Sequence, residues 1–123
     1  MSHFVLLEHD HPELHWDFMF ENGDVLLTWR LDRIPGEGCE FDVIGLLDHR
    51  MAYLDYEGPI SGNRGSVSRV DRGDFELVEA TDDSLVTRVM GMRLRGTVWL
   101  QKKTSDGSLD ESMWRMIWQP DCP

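Results

Sequence analysis

Short apolar-rich runs follow one another along this chain, and clusters of Gly, Asp, Asn and Pro separate them at regular intervals. This pattern is typical of an all-β sandwich or barrel, and no stretch of the sequence carries a sustained helical period with caps. We therefore predict a compact β-barrel-like domain of about eight strands, with at most short helical turns near residues 10–13 or 48–52. The predicted strands are residues 3–7, 14–21, 24–31, 41–47, 65–72, 74–79, 84–90, 93–102 and 113–118, and residues 32–40 are predicted to form a loop.

A chain of 123 residues, of which 41% are hydrophobic, can bury a core, and we expect one domain over residues 1–123. No apolar run approaches the roughly 20 residues that span a bilayer, and the N-terminus lacks the pattern of a signal peptide. The two cysteines, Cys39 and Cys122, are interpreted as reduced thiols rather than as a disulfide. We therefore expect a cytoplasmic protein without membrane association.

The charge balance limits the partners of the protein, because 23 acidic residues face 12 basic ones and the net charge is −11. Nucleic-acid binders neutralise phosphates with clustered Lys and Arg, and that electrostatic attraction dominates their affinity. Extended binding to duplex DNA is therefore disfavoured unless basic residues gather locally. The basic residues that could gather are Arg64, Arg69 and Arg72, or Arg93, Arg95, Lys102 and Lys103.

The clearest hairpin joins strands 14–21 and 24–31 through Asn22-Gly23, a dipeptide that favours two-residue turns with positive φ. Alternate side chains of a strand share a face. One face of the first strand is therefore predicted to enter the core with Leu14, Trp16, Phe18 and Phe20. The opposite face carries His15 and Asp17, which lie about 7 Å apart along the strand.

His9 precedes His15 by six residues, across a turn that would bring the incoming chain alongside. Two imidazoles and a carboxylate suit Mn²⁺, Fe²⁺ or Zn²⁺ and leave coordination positions open for water or substrate. We therefore predict a divalent metal site formed by His9, His15 and Asp17. Two alternatives remain: a hydrogen-bonded structural His–Asp pair, and adventitious metal binding that includes His3 and His11.

Residues 9–18 read His-Asp-His-Pro-Glu-Leu-His-Trp-Asp-Phe, which resembles a signature of the DNA ligase D 3′-phosphoesterase family: His-Asp, three variable residues, then Leu-His-aromatic-Asp-Phe. Residues 48–58 read Asp-His-Arg-Met-Ala-Tyr-Leu-Asp-Tyr-Glu-Gly and are similar to a second signature, Asp-His-Pro-x-x-Tyr-x-x-Phe-Glu-Gly. Further similar segments follow in the same order, at residues 25–29, 71–73, 91–96 and 114–118. The resemblance thus covers nearly the whole chain.

The resemblance implies a β-barrel-like domain that removes a 3′-phosphate or a 3′-ribonucleoside from nucleic-acid ends in DNA repair, alongside a separate ligase or polymerase. It implies the same three metal ligands, with Mn²⁺ favoured and Zn²⁺ or Fe²⁺ as alternatives. It also implies that His49 and Tyr53 contact the scissile phosphate as catalytic residues. An imidazole can donate to a phosphate oxygen or protonate a leaving group, and a phenol adds an oriented hydrogen bond.

The sequence departs from the family at positions that matter for phosphate binding. Met19 occupies the position where the family carries an arginine that grips the phosphate, and Leu47 replaces an acidic residue just before Asp48-His49. A thioether cannot supply the bidentate, charge-assisted contacts of a guanidinium. The missing cation is then expected from Arg50 or Arg64.

These departures, with the net charge of −11, favour a second hypothesis. Under it, the chain is a divergent relative that binds a metal and a small phosphoester or a protein partner, without end-processing activity. The phosphoesterase hypothesis is favoured because all five implied site residues are present, and a binding module has no need of all five. They are His9, His15, Asp17, His49 and Tyr53. A 2-His-1-carboxylate oxygenase is a third class, disfavoured because such enzymes need a larger barrel than this chain allows.

Overall fold

A computed structural model describes residues 2–103 and 112–121 of the protein. Within these ranges the chain forms nine β-strands and a short 3₁₀ helix, Met51–Leu54. The strands are β1 Ser2–His9, β2 His15–Asn22, β3 Val25–Leu31, β4 Glu40–Arg50, β5 Gly58–Pro59, β6 Ser66–Ala80, β7 Ser84–Gly91, β8 Arg95–Lys102 and β9 Met113–Pro120. The predicted all-β class is confirmed.

All strand pairs are antiparallel, in the order β1-β2-β3-β4-β9-β8-β7-β6-β5, and an additional β1–β6 pairing closes eight strands into a barrel. β5 is an extra strand that pairs only with the beginning of β6. Closure removes the free strand edges that an open sheet would present. No helix in the described part of the chain is long and apolar enough to cross a membrane.

The first hairpin differs from the prediction in its turn. Asn22 pairs with Val25, so the two central turn residues are Gly23 and Asp24 rather than Asn22 and Gly23. Gly23 has a φ of 64°, whereas Asp24 is not among the residues with positive φ. A glycine at the first central position with positive φ is the requirement of a type II′ turn.

Two other predictions are corrected. The strands predicted at residues 65–72 and 74–79 are one continuous strand, β6, because Gly73 carries the backbone through in extended pairing with both β1 and β7. Of the two helical turns considered, the one around residues 48–52 is present as the 3₁₀ helix Met51–Leu54, whereas residues 11–13 form bends without helix. Cys39 is exposed, and Cys122 lies outside the described residues.

The barrel interior holds the larger apolar core, and the side chains of β1 and β2 enter it at alternate positions, as predicted for Phe18 and Phe20. Leu14 is an exception, since it precedes β2 and is 57% exposed. The outer faces of β1, β2 and β3 are also buried, in a second cluster formed by Val5, Leu7, Met19, Leu26, Leu54 and Val67. The 3₁₀ helix and the segment that follows it cover this outer face with Met51, Tyr53 and Ile60. The candidate site lies on the same outer face.

Candidate metal centre

The three predicted ligands meet where β1 leads into β2. His9, the last residue of β1, pairs directly with His15, the first residue of β2, and Asp17 follows on the same face. One ligand atom from each of the three side chains lies within 4.8 Å of the others. The Asp17 carboxylate is 3.8 Å from His9 Nδ1 and 3.5 Å from His15 Nε2. His15 and Asp17 are buried, and His9 is partly exposed.

Both imidazoles are held by backbone carbonyls on the side away from Asp17. His15 Nδ1 lies 2.8 Å from the carbonyl oxygen of Glu13, and His9 Nε2 lies 2.9 Å from that of Arg64. A carbonyl only accepts, so each of these ring nitrogens carries the proton and donates it. In a neutral imidazole with this tautomer, the other ring nitrogen presents its lone pair towards Asp17. Metal-binding histidines are oriented by the same arrangement.

Two atoms of the cluster are buried without a hydrogen-bond partner among the described residues: His15 Nε2 and Asp17 Oδ1. The two lie 3.5 Å apart, within ion-pair distance for a protonated imidazole, but they form no hydrogen bond. A buried unsatisfied acceptor costs about 1–3 kcal/mol. A divalent cation bound between the side chains would satisfy both atoms, and the three residues therefore fit such an ion.

Asp10 holds the chain segment that orients His9. The backbone N–H of Ser66 donates to its carboxylate at 2.8 Å, and this hydrogen bond holds the pKa of Asp10 below its ordinary value. The anchored segment includes Arg64, whose carbonyl accepts the proton of His9. Asp10 therefore affects the cluster indirectly, by fixing the position of the backbone carbonyl that orients His9.

Asp10→Ala is expected to weaken Mn²⁺ binding by roughly 10-fold, in the range found when an outer-shell partner of a metal ligand is lost. The cause is a looser Arg64 carbonyl and a less constrained His9 ring. Isothermal titration calorimetry measures the affinity, and Glu13→Ala is the matched control, because Glu13 contributes only its backbone carbonyl. An equal loss in both variants would contradict the assigned role of Asp10.

The predicted phosphate-contacting residues, His49 and Tyr53, lie on the same outer face but outside the three-residue cluster. His49 pairs with Leu26 of β3, and its Nδ1 lies 2.8 Å from the carbonyl oxygen of Leu47. Its ring is 5.9 Å from that of Tyr53, which packs against the outer apolar cluster. Between residues 46 and 49, β4 bulges relative to β3, and this bulge leaves Leu47 90% exposed.

The guanidinium groups of the two arginines considered as replacements for the missing cation contact other parts of the described structure. Arg50 ends β4 and lines a cavity of about 300 Å³ with Tyr53 and Tyr56. The guanidinium of Arg64 is engaged within its own loop, where Nε donates to the carbonyl of Ser61 at 2.7 Å. Met19 is 1% exposed inside the outer apolar cluster.

The fold and the site together define a class: a small closed β-barrel with a two-histidine, one-carboxylate cluster on its outer face. The family model of the DNA Ligase D 3′-phosphoesterase domain matches residues 7–102. The chain belongs to this family.

Two curated relatives come from mycobacteria. They are the multifunctional non-homologous end joining protein LigD of Mycobacterium bovis and the multifunctional non-homologous end joining DNA repair protein LigD of Mycobacterium tuberculosis. Each is 24% identical to this chain over an alignment of 112 residues, and the match covers 84% of this chain. The match covers only 15% of each relative, so it concerns one part of a much longer protein.

Proposed function

We propose that this protein is a metal-dependent phosphoesterase that trims a 3′-phosphate or a 3′-ribonucleoside from nucleic-acid ends in DNA repair. The observation that carries the proposal is the pair of buried, unpartnered atoms, His15 Nε2 and Asp17 Oδ1, facing each other beside His9. Family membership supports an end-processing role for a site of this kind.

In this proposal His9, His15 and Asp17 hold a divalent ion, with Mn²⁺ favoured and Zn²⁺ or Fe²⁺ as alternatives. When bound, such an ion polarises a phosphoryl oxygen and lowers the pKa of a coordinated water. The protein contributes the orientation of the ligands, through the carbonyls of Glu13 and Arg64. It also keeps bulk water from His15 and Asp17, which are 5% and 4% exposed.

His49 and Tyr53 are proposed to contact the substrate phosphate. Because His49 donates from Nδ1 to the Leu47 carbonyl, its Nε2 faces away from the backbone and is available to the substrate. In the imidazolium form this nitrogen donates to a phosphate oxygen or to the leaving group. The Tyr53 hydroxyl adds a hydrogen bond, and packing of its ring against the outer apolar cluster fixes its direction.

The test is release of phosphate or ribonucleoside from 3′-modified primer–template DNA, with Mn²⁺ and with EDTA. We expect Mn²⁺-dependent trimming that His9→Ala abolishes. His3→Ala is the matched control, because His3 lies on the same strand but pairs with Glu21 at 3.1 Å and Asp74 at 3.4 Å. Equal activity in wild type and His9→Ala, or activity that EDTA leaves unchanged, would refute the proposal.

Met19 favours a second candidate function. Its position is enclosed by apolar side chains, so a phosphate held there would meet no cation on β2. Under this alternative the protein binds a metal and a small phosphoester or a protein partner, without processing ends. Stoichiometric Mn²⁺ binding by wild-type protein that trims no 3′ end would favour this alternative.

A further inference from the structure

Arg30 lies across the hairpin from the candidate metal centre. It pairs directly with Asp17 in the β2–β3 register. Directly opposite residues share a face of the sheet, and their Cβ atoms are about 4.5–5.5 Å apart. The guanidinium of Arg30 therefore originates beside the Asp17 carboxylate, on the outer face that also carries His15.

The side chain of Arg30 is partly buried, and it forms no ion pair with any residue that the structure describes. Nε is enclosed and has no hydrogen-bond partner among the described residues. Two nearby carboxylates are already engaged elsewhere: Asp32 pairs with Arg33 at 2.8 Å, and Asp42 pairs with Lys103 at 3.1 Å. A buried guanidinium nitrogen without a hydrogen-bond partner is costly, and an anion bound beside it would offset that cost.

A cleft of about 350 Å³ opens next to this side chain. Arg30 and His15 both line it, so Arg30 and one of the three candidate metal ligands face the same cavity. Clefts of this size hold small ligands or parts of larger ones. Three carboxylates also line the cleft, and two of them, Asp32 and Asp42, are paired with Arg33 and Lys103; the third is Glu13. The remaining walls are apolar and are formed by Pro12, Leu14, Leu31, Val43 and Ile44. Such walls strengthen any charge interaction within it.

We propose that Arg30 grips the phosphoryl group of the substrate at the His9–His15–Asp17 centre. It would do so from β3, because the neighbouring position on β2, Met19, carries no charge. This inference rests on the proposed function, because it assigns the phosphate contact of the same site. A guanidinium beside the cluster can bind two phosphate oxygens at once through charge-assisted hydrogen bonds.

Arg30 fits this role better than the other two candidate arginines. The guanidinium of Arg64 donates to the carbonyl of Ser61, and Arg50 lines a cavity that includes none of the three candidate metal ligands. A basic residue at position 19 would place an unpaired charge inside the outer apolar cluster, because Met19 is 1% exposed there. Asp17 lies opposite Leu7 on β1 and opposite Arg30 on β3, so only β3 carries a cation directly beside it.

The test compares Arg30→Gln with Arg88→Gln, which removes the same charge from a distant ion pair, Arg88–Asp121 at 2.7 Å. Binding of inorganic phosphate is measured by calorimetry on metal-free and Mn²⁺-loaded protein, and Mn²⁺ affinity is measured separately. We expect Arg30→Gln to weaken phosphate binding by about 10- to 100-fold and Arg88→Gln to leave it unchanged. Arg30→Lys keeps the charge but loses the bidentate geometry, so we expect an intermediate loss.

The outcomes separate this inference from the proposed function. If wild-type protein binds phosphate through Arg30 but trims no 3′ end, the anion site stands and the phosphoesterase assignment falls. Trimming that persists in Arg30→Gln with an unchanged KM would overturn the inference alone. Equal phosphate binding by both glutamine variants overturns it, as does a wild-type protein that binds no phosphate. A loss of Mn²⁺ affinity without a loss of phosphate binding also overturns it, since Arg30 would then support the metal ligands instead.

Discussion

Asp17→Ala is expected to abolish stoichiometric Mn²⁺ binding and leave the barrel folded. The carboxylate is the only anionic ligand of the three-residue cluster, and both imidazoles face it across 3.5–3.8 Å. Its removal leaves two neutral nitrogens, which bind Mn²⁺ poorly because this ion prefers oxygen donors. Calorimetry measures the loss of binding, and circular dichroism checks the fold.

A thermal-shift experiment makes the same prediction quantitative. Mn²⁺ at 100 times its Kd stabilises a protein that binds it only when folded by about 2.7 kcal/mol. We expect this shift in wild type and in Glu21→Ala, and no shift in Asp17→Ala. Glu21 is the matched control, because it lies four residues along the same strand and pairs with His3 at 3.1 Å. A wild-type shift in Asp17→Ala would show that the ligand assignment is wrong.

The alternation of apolar and polar side chains along β2 was the most informative pattern in the sequence. A period of two residues places His15 and Asp17 on the face opposite Phe18 and Phe20, and the structure has that arrangement. The turn residues between the runs were sufficient to predict an all-β chain. Both inferences depend on local sequence, where backbone geometry leaves few choices.

Long-range packing was beyond the reach of such patterns. The sequence predicts one buried face for β2, yet Met19 is buried on the other face because the 3₁₀ helix Met51–Leu54, which is distant in the sequence, packs over it. The carbonyls of Glu13 and Arg64 that orient the histidines are backbone atoms and leave no signature in the sequence. Arg30 was detectable in principle. Once Asn22 pairs with Val25, counting back along the hairpin brings Asp17 opposite Arg30.

Two carboxylates are buried in the described part of the protein, and their surroundings are opposite. Asp17 is 4% exposed and has an oxygen without a partner, whereas Asp71 is 3% exposed and accepts four backbone N–H groups. These donors belong to Arg72, Met92, Arg93 and Leu94, at 2.8, 2.9, 3.1 and 2.7 Å. Asp71 thereby fixes the turn between β7 and β8 against β6. A side chain at Gly91 would collide with this carboxylate, so the turn requires glycine there.

Asp71→Ala is therefore expected to lower the free energy of unfolding by about 3 kcal/mol, because backbone N–H groups in the turn lose their acceptor. The melting temperature should fall by roughly 10 °C for a chain of this size. Urea unfolding measures the change, with Asp74→Ala as the matched control on the same strand, where the side chain is 42% exposed. That control is expected to stay within about 0.5 kcal/mol of wild type.

The same variant distinguishes the structural acid from the metal-binding one. Below its melting temperature, Asp71→Ala should still bind one equivalent of Mn²⁺, since Asp71 pairs with Leu6 in the β1–β6 register, three pairs away from His9. Asp17→Asn should behave in the opposite way, with little change in metal-free stability and no Mn²⁺ binding, because its carboxylate oxygen has no hydrogen bond to lose. If both variants lost metal-free stability and Mn²⁺ binding together, the two carboxylates would differ in no functional respect, and burial alone would account for both results. The unpartnered oxygen of Asp17 would then carry no functional meaning.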